Sequence, residues 1–262
     1  MTKIGRWIFL FSALIFGAGF FPAAGHGQSV PFGNGERFQY QIRWNIFTGG
    51  KMSLSVANDV YVEGERAFHI IADTETEGIF RRLYPFRAKV ESFASKTDFL
   101  PLRYHFSSWT PDETILEVVT YPRGQIKGHW VQEKYERKKK KVKEEVFPTA
   151  AYFQDPLSII YYLRTQNLEV GEMIEVPLSI DRKDCKIMVK VLRNSKIRVM
   201  GKVWNSFVLE PGVSLAGVPF QKGTLWIWLS ADSDRIPLYF SARAALGVVS
   251  ATLIEMNKAP AP

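Results

Sequence analysis

The chain has 262 residues, 46% of them hydrophobic and 23% charged, an ordinary globular composition that excludes disordered, collagen-like and multi-span membrane classes. Its 34 lysines and arginines outnumber 26 acids, for a formal charge of +8, and 14% of its residues are aromatic, enough for a large core or a ring-lined cavity. A single cysteine, Cys185, cannot close an intramolecular disulfide, so stability must come from burial.

At the N-terminus, Lys3 and Arg6 precede an uncharged run from Trp7 to Phe21 and then Pro22, Ala23, Ala24 and Gly25. A basic head, a short apolar stretch and small residues predict a signal peptide over 1–25, with a second cut available after Gly27. A spanning helix needs about 20 apolar residues, so a retained anchor is the weaker alternative. No cysteine stands near the cut, which excludes a lipoprotein anchor. Lys3 and Arg6 are the only charges in this leader, so the basicity belongs to the remaining chain, read as a single β-rich domain over 28–258 of a periplasmic or secreted protein.

From there the hydrophobic pattern has period two, the mark of half-buried strands. Phe38, Tyr40, Ile42 and Trp44 alternate with Arg37, Gln39, Gln41 and Arg43. Met52, Leu54 and Val56 follow a turn or bulge at Gly49-Gly50, then Phe68, Ile70 and Ala72, then Leu100, Leu102, Tyr104 and Phe106. Ile79, Phe80 and Leu83 fall at helical spacing ahead of Pro85 and predict a helical turn over Gly78 to Tyr84. Further strands are predicted at 115–121, 125–131, 173–180, 186–192, 196–201, 204–209, 224–230, 236–242 and 247–255. Between them, 132–148 holds seven bases against four acids and reads as an exposed hairpin tip or loop. Asp155-Pro156 before Leu157, Ile159, Ile160 and Leu163 predicts a capped helix with proline at its first position, ending near Gln166. The fold class is therefore all-β, mainly an antiparallel meander curled into a half-barrel or barrel with one short helix around 155–166; two packed sheets are the alternative.

Motifs for chemistry are sparse, and the sequence identifies no activity. His26, His69, His105 and His129 lack the paired spacing of metal ligands and read as strand-surface or satisfied histidines. Cys185 reads as a small buried hydrophobe, and no phosphate loop, zinc-protease helix or nucleophile elbow occurs. Glu75/Glu77 and Asp112/Glu113 read as solvated turn acids, and Asp232-Ser233-Asp234-Arg235 as a hairpin lock in which Arg235 pairs an aspartate. No catalytic residue, metal or cofactor is predicted.

Two features suggest partners. Lys138, Lys139, Lys140 and Lys141 could approach an anionic membrane surface, although charge runs are usually solvated; an exported protein has little occasion to meet nucleic acid. Phe38, Tyr40, Trp44, Tyr104, Phe106, Trp226 and Trp228 share strand alternation and either fill a core or line an apolar groove in a curled sheet. Binding of a lipid or other hydrophobic ligand is the first expectation. An envelope assembly factor acting on a protein partner is the second, and a hydrolase of envelope polymers the third.

Three segments carry a resemblance. Glu36-Arg37-Phe38-Gln39-Tyr40 with Gly49-Gly50, then Asp155-Pro156-Leu157-Ser158 running into Tyr161-Tyr162-Leu163-Arg164, then Trp226-Ile227-Trp228-Leu229-Ser230 with Asp232, Arg235-Ile236-Pro237 and Gly247, resemble a bacterial family of exported proteins known only as a domain of unknown function. The resemblance spans nearly the whole domain and implies a curled antiparallel sheet, similar in outline to the half-barrels that carry lipoproteins across the periplasm. It implies no activity and no catalytic residues.

Overall fold

A computed structural model describes residues 30–136, 139–213, 225–244 and 247–259. The leader over 1–25, Lys138 and the side chain of Cys185 lie outside the described residues.

The strands are β1 (Arg37–Trp44), β2 (Phe47–Val56), β3 (Val60–Val62), β4 (Glu65–Thr76), β5 (Arg87–Ser95), β6 (Pro101–Trp109), β7 (Glu113–Thr120), β8 (Lys127–Glu136), β9 (Lys139–Pro148), β10 (Met173–Ile180), β11 (Lys183–Val199), β12 (Lys202–Val213), β13 (Leu225–Ser230), β14 (Pro237–Ala244) and β15 (Gly247–Asn257). The helices are α1 (Gly78–Leu83) and α2 (Ser158–Thr165). All the strands belong to one 15-stranded antiparallel sheet, with β3 attached to the side of β4. The predicted curled meander is therefore correct.

Neighbours along the chain are neighbours in the sheet, and β1 also pairs with β15, joining the two ends of the domain in mid-sheet. The break falls between β9 and β10, the two outer strands, so the ring stays open at one seam. The connection between them crosses that seam. Gln154 forms a parallel bridge with Leu178, and Tyr121 Oη donates to Ser179 Oγ at 3.3 Å.

The connection then enters the curl as α2. Asp155 Oδ1 accepts the backbone N–H groups of Leu157 and Ser158 at 2.8 Å each, and Ser158 Oγ accepts that of Asp155 at 2.9 Å. This reciprocal cap satisfies donors that a helix start leaves open, while Pro156 has none to satisfy. Ile159, Tyr161 and Leu163 of α2 pack in one core with Phe38 and Tyr40 of β1, Leu54 of β2 and Val189 of β11. The helix is the plug of the half-barrel.

A buried ion pair fastens it. Arg164 donates to Glu36 from Nη1 at 2.6 Å and from Nη2 at 2.8 Å, and Nη2 also donates to the carbonyls of Pro31 and Asp234. The rings of Phe32, Phe38 and Tyr161 lie 5.2 to 5.4 Å from the guanidinium. One side chain thus ties the helix, the lead-in to β1 and the β13–β14 turn.

Several boundaries differ from the sequence pattern. The basic stretch is mostly strand, the end of β8 and all of β9. The predicted strands at 186–192 and 196–201 are the single β11, whose register against β12 shifts between Val191 and Arg193. Gly49 is an extra residue on β2 opposite the Ile42/Arg43 step, a bulge rather than a turn. In the β13–β14 turn, Asp232 Oδ1 accepts from Ser230 Oγ and the Asp234 N–H as a lock requires, but Arg235 bonds the carbonyls of Ala231 and Asp232 instead of a carboxylate.

Candidate functional site

The aromatic residues singled out by strand alternation do not form one surface. Phe38 and Tyr40 are core, both fully buried, with Tyr40 Oη donating to the Pro237 carbonyl at 2.7 Å. Trp44 sits at the end of β1 against Phe80 of α1, ring centroids 6.0 Å apart. Trp226 and Trp228 alternate with buried Ile227 and Leu229 and so take the other face of β13, Trp226 beneath Arg243 and Trp228 against Tyr239. Tyr104 and Phe106, buried in a second hydrophobic cluster with Val119, Tyr121, Trp130, Phe147 and Phe153, line a cavity.

That cavity is a cleft of about 260 Å³ at the seam. One wall is the inward face of β6 to β9. Cross-strand register sets Tyr104 beside Val119, Val119 beside Trp130, and Gly128 beside Phe147. Residues paired this way share a face, so rings on β6, β8 and β9 line up with Val119 of β7 among them. Gly128 is needed there, because a Cβ would stand 2.5 Å from the Phe147 ring. Tyr121 closes one end against Phe153, and Pro156 borders the cleft from the start of α2's cap.

The second wall is the tip of the β10–β11 hairpin. Asp181 and Arg182 both have positive φ, 52° and 62°, the two-residue turn that matches strand twist and favours Asn, Asp or Gly. Arg182 holds this costly conformation while reaching across the seam. Its Nε donates to Glu145 of β9 at 2.8 Å, and its guanidinium lies 4.2 Å from the Trp130 ring centroid. These two contacts clasp the edges of the sheet over the cleft.

Polar groups in the lining are few. Glu117 accepts from Gln132, and Ser179, Asp181 and Arg182 complete the lining. Behind the wall, fully buried Asp155 accepts from Ser92 of β5. Burial pushes the Asp155 carboxyl up to about 6 against the opposing pull of the Ser92, Ser158 and Leu157 hydrogen bonds.

Elsewhere, two histidines pair with carboxylates. His69 lies 2.8 Å from Glu91, which also binds Lys89, and stacks on Phe93; His129 lies 2.7 Å from Glu144. Among the described residues no group of three or more His, Cys, Asp or Glu is placed to hold a metal ion. Lys139, Lys140 and Lys141 lie on outer strand β9, with Lys140 bound to Glu133 and set over Tyr135. Trp130, Phe147 and Arg182 were not singled out from the sequence, and Asp181-Arg182 is not one of the dipeptides that mark a two-residue hairpin turn.

The open barrel has a solved counterpart. A beta-barrel-like protein of domain of unknown function DUF1849 from Brucella abortus is similar with a TM-score of 0.52 at 10% identity, over 86% of this chain and 98% of that one. A putative exported protein with YmcC-like fold from Bacteroides fragilis matches over 87% and 98% of the two chains at 9% identity, but its TM-score of 0.35 is too low to carry an argument. No curated protein matches the chain. Residues 39–254, nearly the whole described sheet, match the family described as Protein of unknown function (DUF3108), and the chain belongs to that family.

Proposed function

We propose that this protein is a non-enzymatic binding protein of the bacterial cell envelope that holds an apolar or amphipathic molecule in the cleft at the seam of its sheet. The observation that carries this reading is the row of rings from Tyr104 to Phe147, a buried cluster separate from the core plugged by α2, which lines a cleft that Arg182 crosses. Apolar walls with a few polar groups are the ordinary composition of a small-molecule site. Its volume falls just short of the roughly 300–1,000 Å³ usual for whole ligands, so it takes one end of a chain or ring system. Export rests on the leader read from the sequence, and Lys139 and Lys141 on β9 suit an approach to an anionic surface.

The test is mass spectrometry of an organic extract of protein purified from its own host without detergent. A stoichiometric lipid or isoprenoid is expected, with at least about tenfold less from Trp130→Ala and no loss from Trp228→Ala, since a buried aromatic anchor is worth on the order of 1.4 kcal/mol or more. An empty extract from folded protein, together with no displaceable binding of a fluorescent fatty acid, would sink the proposal. The competing reading is an assembly factor that adds a partner strand to the ten-residue outer strand β9. Its edge favours that mode, and its lysines oppose it.

A further inference from the structure

A second, larger hollow lies on the opposite face of the sheet. Six adjacent strands, β1, β2, β4, β5, β6 and β7, enclose a groove of about 560 Å³. Its floor is two rows set side by side by the register: Lys51, Glu75, Arg87 and Trp109 in one, and Ser53, Asp73, Lys89 and Ser107 in the other. Arg37 closes the β1 end.

Some of these groups are engaged. Lys51 binds Glu75 at 3.0 Å and Glu77 at 3.1 Å, Arg87 reaches Glu75 at 3.5 Å, and Lys89 binds Glu91 at 2.8 Å. Others are not. Arg37, Asp73 and the hydroxyls of Ser53 and Ser107 make no side-chain hydrogen bond or ion pair among the described residues, and Trp109 is 45% exposed at the far end. An apolar ligand would desolvate these charges without replacing their water, so the groove is unsuited to one.

We infer that this groove binds an acidic oligosaccharide. The Trp109 ring takes the C–H face of a sugar. The Asp73 carboxylate and the serine hydroxyls take sugar hydroxyls, for which donors and acceptors are both needed. Arg37 pairs with a ligand carboxylate; Lys51 and Lys89 are already held by Glu77 and Glu91, so the preference for an anionic over a neutral chain comes from Arg37 and from Arg87, whose contact with Glu75 is the longest of these ion pairs. The volume falls within the usual range for ligand sites.

Calorimetric titration of the purified protein with tetragalacturonate tests this, beside neutral maltotetraose and a tetraglutamate peptide. Tetragalacturonate is expected to bind, about tenfold more weakly to Trp109→Ala and to Arg37→Gln, with both comparison ligands weaker than it by a similar factor. Both residues lie on the face away from the core, and circular dichroism checks that the variants fold. Absence of tetragalacturonate binding, equal affinity for either comparison ligand, or affinity unchanged in Trp109→Ala would overturn the inference. The groove and the seam cleft are on different faces, so the two proposals stand or fall separately.

Discussion

Replacing Asp155 with asparagine isolates the ionisation of one buried group. Asparagine keeps an oxygen that can accept the N–H groups of Leu157 and Ser158, and its amide can donate to Ser92, so the cap of α2 survives. The carboxyl's pKa rises from 3.8 to about 6 on folding, roughly two units at 1.36 kcal/mol each, or about 3 kcal/mol. Complete burial leaves no solvent screening to reduce the figure. Between those values the native state holds a proton that the unfolded state has released, so stability falls as pH rises through this window and is level above it. The asparagine variant lacks this loss. Urea unfolding of both proteins, followed by tryptophan fluorescence from about pH 3.5 to 7, should show wild type losing about 3 kcal/mol relative to the variant across the window. Other titrating groups are common to both proteins and cancel in the difference. Parallel stability curves would refute the assignment.

Other substitutions test the plug, the sheet and the clasp. Arg164→Met strands Glu36 in the core and should cost about 3–5 kcal/mol in urea unfolding, whereas adding Glu36→Leu to it should recover most of the loss. Gly50→Ala places a Cβ 2.2 Å from the Glu75 carbonyl and should destabilise by about 1–3 kcal/mol, with faster hydrogen exchange along the β2–β4 ladder than along β1–β15. Gly128→Val should push the Phe147 ring into the cleft, cutting ligand occupancy in the extract with a smaller change in thermal midpoint. Arg182→Ala opens the clasp, so a bound fluorescent fatty acid should leave several-fold faster, matching the roughly 1 kcal/mol of a partly exposed cation–π contact.

Strand alternation made β1, β6 and β10 legible, and the Asp155-Pro156 cap made α2 so, because each signal is local. β5 escaped notice because its inward side reads Ala88, Val90, Ser92 and Ala94, small residues with a serine that serves Asp155. β9 escaped because it is exposed on both faces apart from Phe147, which leaves no alternation to read. The cleft was half legible. Period two tells which side chains share a face of one strand, so Tyr104 and Phe106 were found. It does not tell which stretch of that face a distant helix will cover. Phe38 and Tyr40 look like Tyr104 and Phe106 in sequence, and differ in that the first pair shares one core with α2 while the second belongs to a separate buried cluster that lines the cleft.

The open seam is also written into both edges. β9 carries Lys139, Lys140, Lys141 and Lys143, charges that discourage pairing at a free edge. β10 carries Pro177, which has no N–H to offer a further strand. The chain itself takes the place a closing strand would occupy. The Gln154 N–H donates to the Pro177 carbonyl at 2.8 Å, and the Ser179 N–H donates to the Gln154 carbonyl at 2.9 Å, satisfying β10 there without β9. Immediately afterwards Asp155 and Pro156 turn the chain inward. Backbone pairing across the seam is thus limited to one residue's reach, and beyond it side chains make the contacts, Tyr121 with Ser179 and Arg182 with Glu145 and Trp130. Side-chain contacts can part without breaking a ladder, so a ligand of the kind proposed would enter here.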